Sequence, residues 1–585
     1  MAASRSVSSW GAVCALGLAL GAALAGCASG FEEERYPPRE ASHFGNYLAA
    51  RYADAVHENE AATEFYAKAL EEDPGNPVIV ERAFLQAVTA GDMDRALDFA
   101  DEIITRAPRE RTARLLLGLN DLRANAYQEA ISQFDQAAPG PFTALVGTLA
   151  TSWAHAGRNE KEKALEGTSS FSGRPAFDLF RFYHEALMRD YLQDVEGADK
   201  AYLGAVEASG GASLRVVQAY GNFLERRDRH DEARDLYQRY ADLAPNHPVI
   251  NKALELVAAR KNPAPMIPDP AAGVAEALYG LGSALAQENG IDISIVYLQL
   301  ALFLRPEFDV ARTLLADIYE MDGRWEEAIV AYKSVSPRSA LYENSRIQAA
   351  VALDRLDRPG QARAVLREIA NSMPEAIEPV VALGDIARGR DEFAVAVRHY
   401  TKAIEMTGAP GDRHWSLFYA RGICYERLGK WSDAERDLKV ALRLSDEHPL
   451  VLNYLGYSWV DQKIHLDEAM EMIRKAVDLR PNDGFIVDSL GWAHYRLGEY
   501  EKATEYLERA VVLQPDDPTI NDHLGDALWR VGRRVEARFQ WRHALELKPE
   551  EKFVGSIKDK LANGLKDGSA AAAQNGDPAP DPNGS

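Results

Sequence analysis

LGWAHYRLGEYEKATEYLERAVVLQP, residues 490–515, is one copy of a pattern that recurs along most of this 585-residue chain. It begins with a small residue, Gly491, which is followed twelve positions later by Ala503 and after seven more by Ala510. Pro515 then ends the unit, because proline cannot continue a helix. This order predicts two amphipathic helices of about a dozen residues each, packed closely where the side chains are small. The first small residue recurs at intervals of 34 to 38 residues, at Gly282, Ala316, Ala350, Gly384, Gly422, Gly456, Gly491 and Gly525.

The same unit can be followed toward the N-terminus. Ala50, Phe84 and Gly118 take the first position of three successive copies. A further copy runs through residues 221–245, whereas residues 140–215 fit the pattern least well. Repeats of this kind therefore account for nearly all of the chain beyond its first forty or so residues.

The pattern resembles the tetratricopeptide repeat. In that family an aromatic residue, Leu-Gly, a second aromatic residue, Ala, a large apolar residue, Ala and Pro follow one another at fixed spacing. Residues 449–549 meet this order almost completely. The resemblance implies an all-α fold, a superhelical solenoid of about 11–13 helix-turn-helix repeats in which each repeat contacts mainly its neighbours.

Changes in composition divide the chain further. RKNPAPMIPDP, residues 260–270, contains four prolines, which favour an extended spacer and predict a hinge or break between two arrays. The last residues lack apolar periodicity, which predicts disorder. In order, we expect a signal peptide (1–26), a lipidated tether (27–43), an N-terminal repeat array (44–257), a proline-rich linker (258–270), a C-terminal repeat array (271–550), a capping helix (551–566) and a disordered tail (567–585).

The first residues have the composition of an export signal. Arg5 precedes an uncharged, apolar run from Trp10 to Ala25. That run is shorter than the roughly 20 residues a helix needs to cross a bilayer, so a transmembrane anchor is disfavoured.

The apolar run ends in Leu24, Ala25, Gly26 and Cys27, which resembles the bacterial lipobox. In that motif a dedicated peptidase recognises the residues before the cysteine, and the cysteine is lipidated. The resemblance implies acyl chains on Cys27, and the alanine after it implies sorting to the outer membrane of a Gram-negative bacterium, facing the periplasm. Two acyl chains already make a stable anchor. The alternative is an ordinary secretory signal in which Cys27 has no role.

Charge and cysteine content limit the partners. The chain has 66 Lys and Arg against 89 Asp and Glu, a formal net charge of -23. Such an excess opposes sequence-independent binding to phosphate backbones, so we expect no nucleic-acid partner. Cys14 and Cys27 lie in the export segment and Cys424 is the only other cysteine, so no disulfide framework is expected.

The sequence shows no catalytic motif. The zinc-helix, phosphate-loop and nucleophile-elbow patterns are absent, and the repeats leave no block of a hundred residues for a separate catalytic domain. We therefore predict no catalytic residue, no cofactor and no metal site. His494 takes the position of an aromatic packing residue, and Cys424, two residues after Gly422, is predicted to be a buried structural thiol.

A binding groove is predicted from the repeat register. The first helix of each pair lines the concave surface, and residues spaced three or four apart share one face. Aromatic residues and arginines dominate binding hot spots, and arginine can fork onto a carboxylate. For the tryptophans, packing between neighbouring helices is the alternative role. The candidate groove residues are Tyr419, Arg427, Asn453, Tyr457, Asp488, Trp492, Tyr495, Arg496, Asp522, Trp529 and Arg530.

The export signal and the repeats together predict a non-catalytic scaffold that binds periplasmic proteins in this groove. The combination resembles the large tetratricopeptide lipoproteins that serve as adaptors for periplasmic carboxyl-terminal processing proteases. The resemblance implies such a protease and its substrates, often cell-wall hydrolases, as partners, and the outer membrane as the site of attachment through Cys27. Other scaffold roles stay open, in peptidoglycan synthesis, outer-membrane assembly or polysaccharide export. The alternative from another class is a cell-wall hydrolase with the repeats as its targeting arm.

Overall fold

The computed structural model describes residues 43–56, 58–173 and 177–565, which consist of helices joined by turns and short loops. These residues form thirty α-helices and no β-strand, which confirms the expected all-α solenoid. The signal peptide, the lipobox with Cys27, the tether up to residue 42 and the tail from residue 566 lie outside the described residues. Among the described helices, none is both long enough and apolar enough to cross a bilayer.

The chain divides into two compact units, Met1–Arg324 and Trp325–Ser585. In the first unit, consecutive helices pack as hairpins α1–α2, α3–α4, α5–α6, α7–α8, α9–α10, α11–α12 and α14–α15. Their bounds are α1 His43–Ala55, α2 Asn59–Glu72, α3 Pro77–Ala90, α4 Met93–Arg106, α5 Arg111–Arg123, α6 Tyr127–Gln136, α7 Pro141–Gly157, α8 Lys161–Ser169, α9 Asp178–Tyr191, α10 Val195–Ala208, α11 Leu214–Glu225, α12 His230–Leu243, α13 Pro248–Ala258, α14 Pro270–Gln287, α15 Ile291–Leu304 and α16 Asp309–Met321.

The second unit repeats the same hairpin, as α18–α19, α20–α21, α22–α23, α24–α25, α26–α27 and α28–α29, and ends in α30. Its helices are α17 Trp325–Lys333, α18 Tyr342–Arg355, α19 Pro359–Ser372, α20 Glu378–Gly389, α21 Phe393–Met406, α22 Trp415–Arg427, α23 Trp431–Leu444, α24 Pro449–Asp461, α25 Leu466–Leu479, α26 Gly484–Arg496, α27 Tyr500–Leu513, α28 Pro518–Arg530, α29 Arg534–Glu546 and α30 Glu551–Asn563.

The two helices of a hairpin touch at the recurring small residue. A Cβ atom added to Gly491 would lie 2.7 Å from Cγ of Leu507, and one added to Gly525 would lie 2.5 Å from the ring of Trp541. Carbon atoms in contact prefer about 3.5–4.0 Å, so only glycine lets the backbones approach this closely. The large side chain stands sixteen positions after the glycine at Gly118, Gly221, Gly282, Gly384, Gly422, Gly491 and Gly525.

Gly491→Ala is therefore expected to destabilise the second unit by about 1–3 kcal/mol, because the new methyl group overlaps Leu507. The matched control is Gly555→Ala in α30, where an added Cβ would meet nothing within 4 Å. Alanine there should stabilise the helix by about 0.5–1 kcal/mol, because it has less backbone freedom to lose than glycine. Urea unfolding followed by circular dichroism measures both shifts. Shifts of the same sign would contradict the close approach at Gly491.

In the first unit, the hairpin α14–α15 packs onto the first helices of earlier hairpins. Helix α14 lies against α5, α7 and α9, and α15 lies against α3 and α5. A Cβ atom on Gly273 of α14 would come within 2.2 Å of the ring of Trp153, which is fully buried in α7. Gly273 is not one of the recurring small residues, so it serves this long-range contact rather than the hairpin itself.

A buried carboxylate fastens α14 in place. Glu276, whose side chain has no exposed surface, accepts hydrogen bonds of 3.1 Å from Arg215 Nε and from the hydroxyl of Tyr183. Nη1 of Arg305 lies 3.7 Å from the same carboxylate. Burial acts to lower the pKa of Arg215, but the charge of Glu276 more than offsets this, so the pKa is raised. The charged groups of this network stabilise one another. Removal of Glu276, for example, would leave the buried guanidinium of Arg215 without its carboxylate partner.

The proline-rich segment between α13 and α14, Lys261–Asp269, has no helix and is tied to the first unit. The side-chain amide of Asn222 donates a 2.9 Å hydrogen bond to the carbonyl oxygen of Ala264, and Ile267 is buried. The hydrogen bond from Asn222 holds the segment against α11.

The division between the units differs from the one expected at residues 258–270. It falls between Arg324 and Trp325. The hairpin α14–α15, which the sequence assigned to the C-terminal array 271–550, is part of the first unit because it buries Gly273 and Glu276 against the earlier hairpins. The repeat spacing records which helices form a hairpin, but not which hairpins pack together.

Glu276→Ala is expected to destabilise the first unit by about 3–5 kcal/mol, because it leaves Arg215 buried without its carboxylate. Hydrogen exchange measured by mass spectrometry should show faster exchange in α14 and α15. The control is Glu255→Ala, which removes an exposed ion pair with Lys252 at 3.0 Å and should cost about 1 kcal/mol or less. Unchanged exchange in α14 and α15 would show that the carboxylate does not fasten this hairpin.

Candidate protein-binding surfaces

The predicted groove residues lie on the first helices of four consecutive hairpins, α22, α24, α26 and α28. Four of them are partly exposed, namely Arg427, Arg496, Asp522 and Arg530. The other seven have less than a tenth of their surface exposed: Tyr419, Asn453, Tyr457, Asp488, Trp492, Tyr495 and Trp529. The structure therefore places most of the predicted groove in the interior of the second unit.

Trp492 packs between neighbouring hairpins. The centroid of its ring lies 3.9 Å from that of His523 in α28 and 4.6 Å from that of Tyr495 in its own helix, both nearly parallel to it. Nδ1 of His523 lies 3.0 Å from Oδ1 of Asp488, which is fully buried. Trp492 and Asp488 thus join α26 to α28, and for Trp492 this is the packing role named above as the alternative.

The last hairpin is covered by the C-terminal helix. Nζ of Lys560 in α30 donates hydrogen bonds of 2.7 Å to Asp522 and 2.9 Å to Asp526. Burial acts to lower the pKa of Lys560, and the two carboxylates more than offset it, so the pKa is raised. The indole N–H of Trp529 donates a 3.2 Å hydrogen bond to the carbonyl of Leu565. Asp522 and Trp529 therefore contact the chain's own terminal segment instead of presenting a free surface.

The arginines of the predicted groove are also engaged within the second unit. Nη2 of Arg496 lies 3.3 Å from a carboxylate oxygen of Asp461, and it donates a 2.9 Å hydrogen bond to the carbonyl of the same residue. The guanidinium of Arg427 stands over the ring of Phe393, 5.5 Å from its centroid. Nε of Arg530 lies 3.4 Å from the hydroxyl of Tyr495. A ligand at this surface would have to compete with these contacts.

Trp492→Ala is expected to destabilise the last repeats by about 3–5 kcal/mol, because it empties the space between α26 and α28. Phe539→Ala is a matched control, since the side chain of Phe539 is 63% exposed and its loss should change stability by about 0.5 kcal/mol or less. Urea unfolding monitored by circular dichroism distinguishes the two. If Trp492→Ala unfolded at the same urea concentration as the wild type, the indole would not be packed between the helices, and a role for Trp492 in contacting a partner would again be favoured.

The remaining chemical candidates are structural. Cys424 is fully buried, and burial raises the pKa of its thiol to about 12, so the thiolate is strongly disfavoured. His494 is 3% exposed, with Nδ1 2.7 Å from Glu499, and burial lowers its pKa. Across the described stretches of the chain, no group of three or more His, Cys, Asp and Glu side chains is arranged to hold a metal ion.

A second surface lies in the first unit, where the sequence reasoning placed no site. A cavity of about 640 Å³ opens between α3, α5 and α15. Leu85 and Leu115 line one side, and Val296 and Leu300 of α15 line the other. Part of its lining is charged, contributed by Asp54, Arg82, Arg111, Asp292 and Arg324.

The helices on one side of this cavity could be predicted from the repeat spacing. Phe84 and Gly118 mark the register of α3 and α5, so Arg82, Leu85 and Leu115 could have been placed on their first helices. The other side could not, because α15 lies about two hundred residues further along the chain. Its contact with α3 and α5 depends on how the hairpins stack.

Comparisons with known proteins agree with the helical-repeat fold. A family model described as tetratricopeptide repeat matches residues 82–143, 381–449 and 419–484, and a model described as TPR repeat matches residues 491–532. The chain is 35% identical over 88 residues to a TPR repeat-containing protein of Pseudomonas aeruginosa, an alignment that covers 15% of each chain.

A second relative is the BBSome complex member BBS4 of Bos taurus, 30% identical over 115 residues, which are 20% of this chain and 21% of that protein. The chain thus matches only about a fifth or less of the length of these curated relatives. Among solved structures, the APC/C hetero-tetramer Cut9-Hcn1 is 14% identical, with 89% of this chain and 96% of that chain covered and a TM-score of 0.39.

Helical hairpins with a recurring small residue at the contact define a repeat scaffold, a class of protein whose surfaces mediate protein–protein interactions. The matched repeat models name the repeat. This chain therefore contains tetratricopeptide repeats at the matched residues and is homologous in part to the TPR repeat-containing protein of Pseudomonas aeruginosa. Proteins of this fold are typically non-catalytic scaffolds that bind other polypeptides.

Proposed function

We propose that this protein is a lipid-anchored scaffold of the outer membrane that faces the periplasm and brings a carboxyl-terminal processing protease to its substrates, such as cell-wall hydrolases. Two observations together carry the proposal. The N-terminal apolar run ends in a lipobox-like sequence, Leu24 to Cys27, and the described residues form helical hairpins along the chain. A polypeptide made of such hairpins offers surfaces for partners, and acyl chains on Cys27 would hold those surfaces at a membrane.

The mechanism is a rise in effective concentration. A scaffold that holds a protease and its substrate converts their encounter into a local event, without new chemistry of its own. Repeats suit this work, because each hairpin is supported by its neighbours and a long array can offer separate surfaces to separate partners. The net charge of -23 is compatible with protein partners and unfavourable for nucleic acid.

The proposal predicts stimulation without intrinsic activity. The chain from Ala28 onward, purified and added to a carboxyl-terminal processing protease of the same cell, should raise the rate of cleavage of a cell-wall hydrolase by about tenfold or more at low substrate concentration. The chain alone should cleave nothing. Gel-based cleavage assays measure the rate, and the heat-unfolded chain serves as the control because it keeps the composition and loses the surfaces.

Failure to stimulate every such protease of the cell would discard the adaptor role and leave a scaffold with other partners. Incubation of the chain alone with purified peptidoglycan addresses the other class of function. Release of soluble fragments would favour a cell-wall hydrolase with the repeats as its targeting arm.

A further inference from the structure

The cavity between α3, α5 and α15 is preformed by contacts that fix its walls. The side-chain amide of Gln299 on α15 donates a 3.1 Å hydrogen bond to the carbonyl oxygen of Thr89 at the end of α3. The same amide lies 3.2 Å from the hydroxyl of Tyr319. With Glu276 fastening α14 in the same hairpin, both walls are held without a ligand. Its volume of about 640 Å³ falls in the range of about 300–1,000 Å³ typical of ligand sites.

The walls leave apolar side chains accessible. Leu85 on α3 is 37% exposed and Ile293 on α15 is 46% exposed, and both line the cavity. Large apolar side chains that are exposed together in a concave surface commonly mark a binding site, whereas single exposed apolar residues are ordinary. The apolar lining continues through Leu115 and Val296.

The cavity is positively charged within an acidic protein. Arg82, Arg111 and Arg324 line it against two carboxylates, Asp54 and Asp292, although the chain as a whole carries a net charge of -23. Arg82 and Arg111 are exposed and make no ion pair with any residue that the structure describes. A guanidinium group in this state can form a two-pronged hydrogen-bonded pair with an incoming carboxylate.

We propose that this cavity binds a short peptide segment of a partner protein in which carboxylates stand beside apolar side chains, an inference that rests on the scaffold function proposed above. Arg82 and Arg111 take the carboxylates, and the leucines of α3 and α5 together with Ile293 and Val296 of α15 take the apolar side chains. Asp54 and Asp292 offer acceptors for peptide N–H groups. An ionised fatty acid has no hydrogen-bond donor for such acceptors, whereas a peptide has several N–H groups, which favours a peptide.

The test uses fluorescence anisotropy with the chain from Ala28 onward and labelled peptides of the sequence GLDLELL. One peptide ends in a free carboxylate, a second ends in an amide, and a third, GLNLQLL with an amide end, carries no carboxylate. We expect the acidic peptides to bind at least about tenfold more tightly than the neutral one, since the neutral peptide cannot form charge-assisted hydrogen bonds with the arginines. Equal binding of the two acidic peptides assigns recognition to side-chain carboxylates, and tighter binding of the free-acid form assigns it to the chain end as well.

Two variants on opposite walls locate the site. The double variant Arg82→Glu and Arg111→Glu, and separately Ile293→Glu, should each lower affinity for the acidic peptides by about tenfold or more, because they place negative charge in the cavity. These positions are exposed, and circular dichroism checks that helix content is unchanged. The matched control is Arg109→Glu, which changes an exposed arginine two residues from Arg111 that does not line the cavity and should alter affinity by less than about twofold.

Weak binding that is equal for acidic and neutral peptides would overturn the inference, as would an equal loss in Arg109→Glu and the cavity variants. The protease-stimulation assay distinguishes a failure of the cavity assignment from a failure of the proposed adaptor function. If the acidic peptides do not bind and the chain still stimulates the protease, the cavity assignment alone falls. If the peptides bind as expected and no protease is stimulated, the adaptor role falls and the cavity assignment stands.

Discussion

The architecture depends on one contact, made in seven of the hairpins, between a glycine in the first helix and a large side chain sixteen positions later. At Gly491 the partner is Leu507, at Gly384 it is Tyr400, and at Gly525 it is Trp541. A methyl group at the small residue would overlap its partner, so the contact fixes both the distance between the helices and their register. Hairpins of fixed geometry then stack, and every surface that this protein offers to another is a consequence of that stacking.

Because this contact is local in sequence, the fold could be predicted from the sequence. Glycine or alanine and a large apolar residue at constant spacing name both partners of each contact, and Pro515 and its equivalents mark where the second helix ends. The candidate groove was less predictable, because spacing shows which side chains share a helix face but not how close the next helix lies. Trp492 and Asp488 share such a face, yet His523 of the following hairpin fills the space in front of them. Aromatic and charged residues that would suit a hot spot suit a packed joint between repeats equally well.

The cavity of the first unit could not be predicted from the sequence, for a different reason. Its second wall, α14–α15, comes from residues far along the chain, and repeat spacing carries no signal for contacts over such separations. Two local hints were nevertheless present. The segment PAAGVAEALYGLGSALAQ of α14 is apolar on nearly every side, which is the mark of a helix buried all round. Its single charged residue, Glu276, is costly to bury without a cation, so it pointed to an arginine such as Arg215 elsewhere in the chain.

The two units consequently differ in what they can offer a partner. In the second unit two cations are already paired, Arg496 with Asp461 and Lys560 with two aspartates, so a ligand of either would have to replace existing ion pairs and would gain little. In the first unit Arg82 and Arg111 are solvated and line the same cavity as the accessible Leu85, so a carboxylate gains a partner without breaking an ion pair. Affinity follows from such differences more than from the area of a concave surface. Arg82 and Arg111 are thus charges that folding leaves unpaired beside an apolar cavity, and they lie where a late hairpin closes over early repeats.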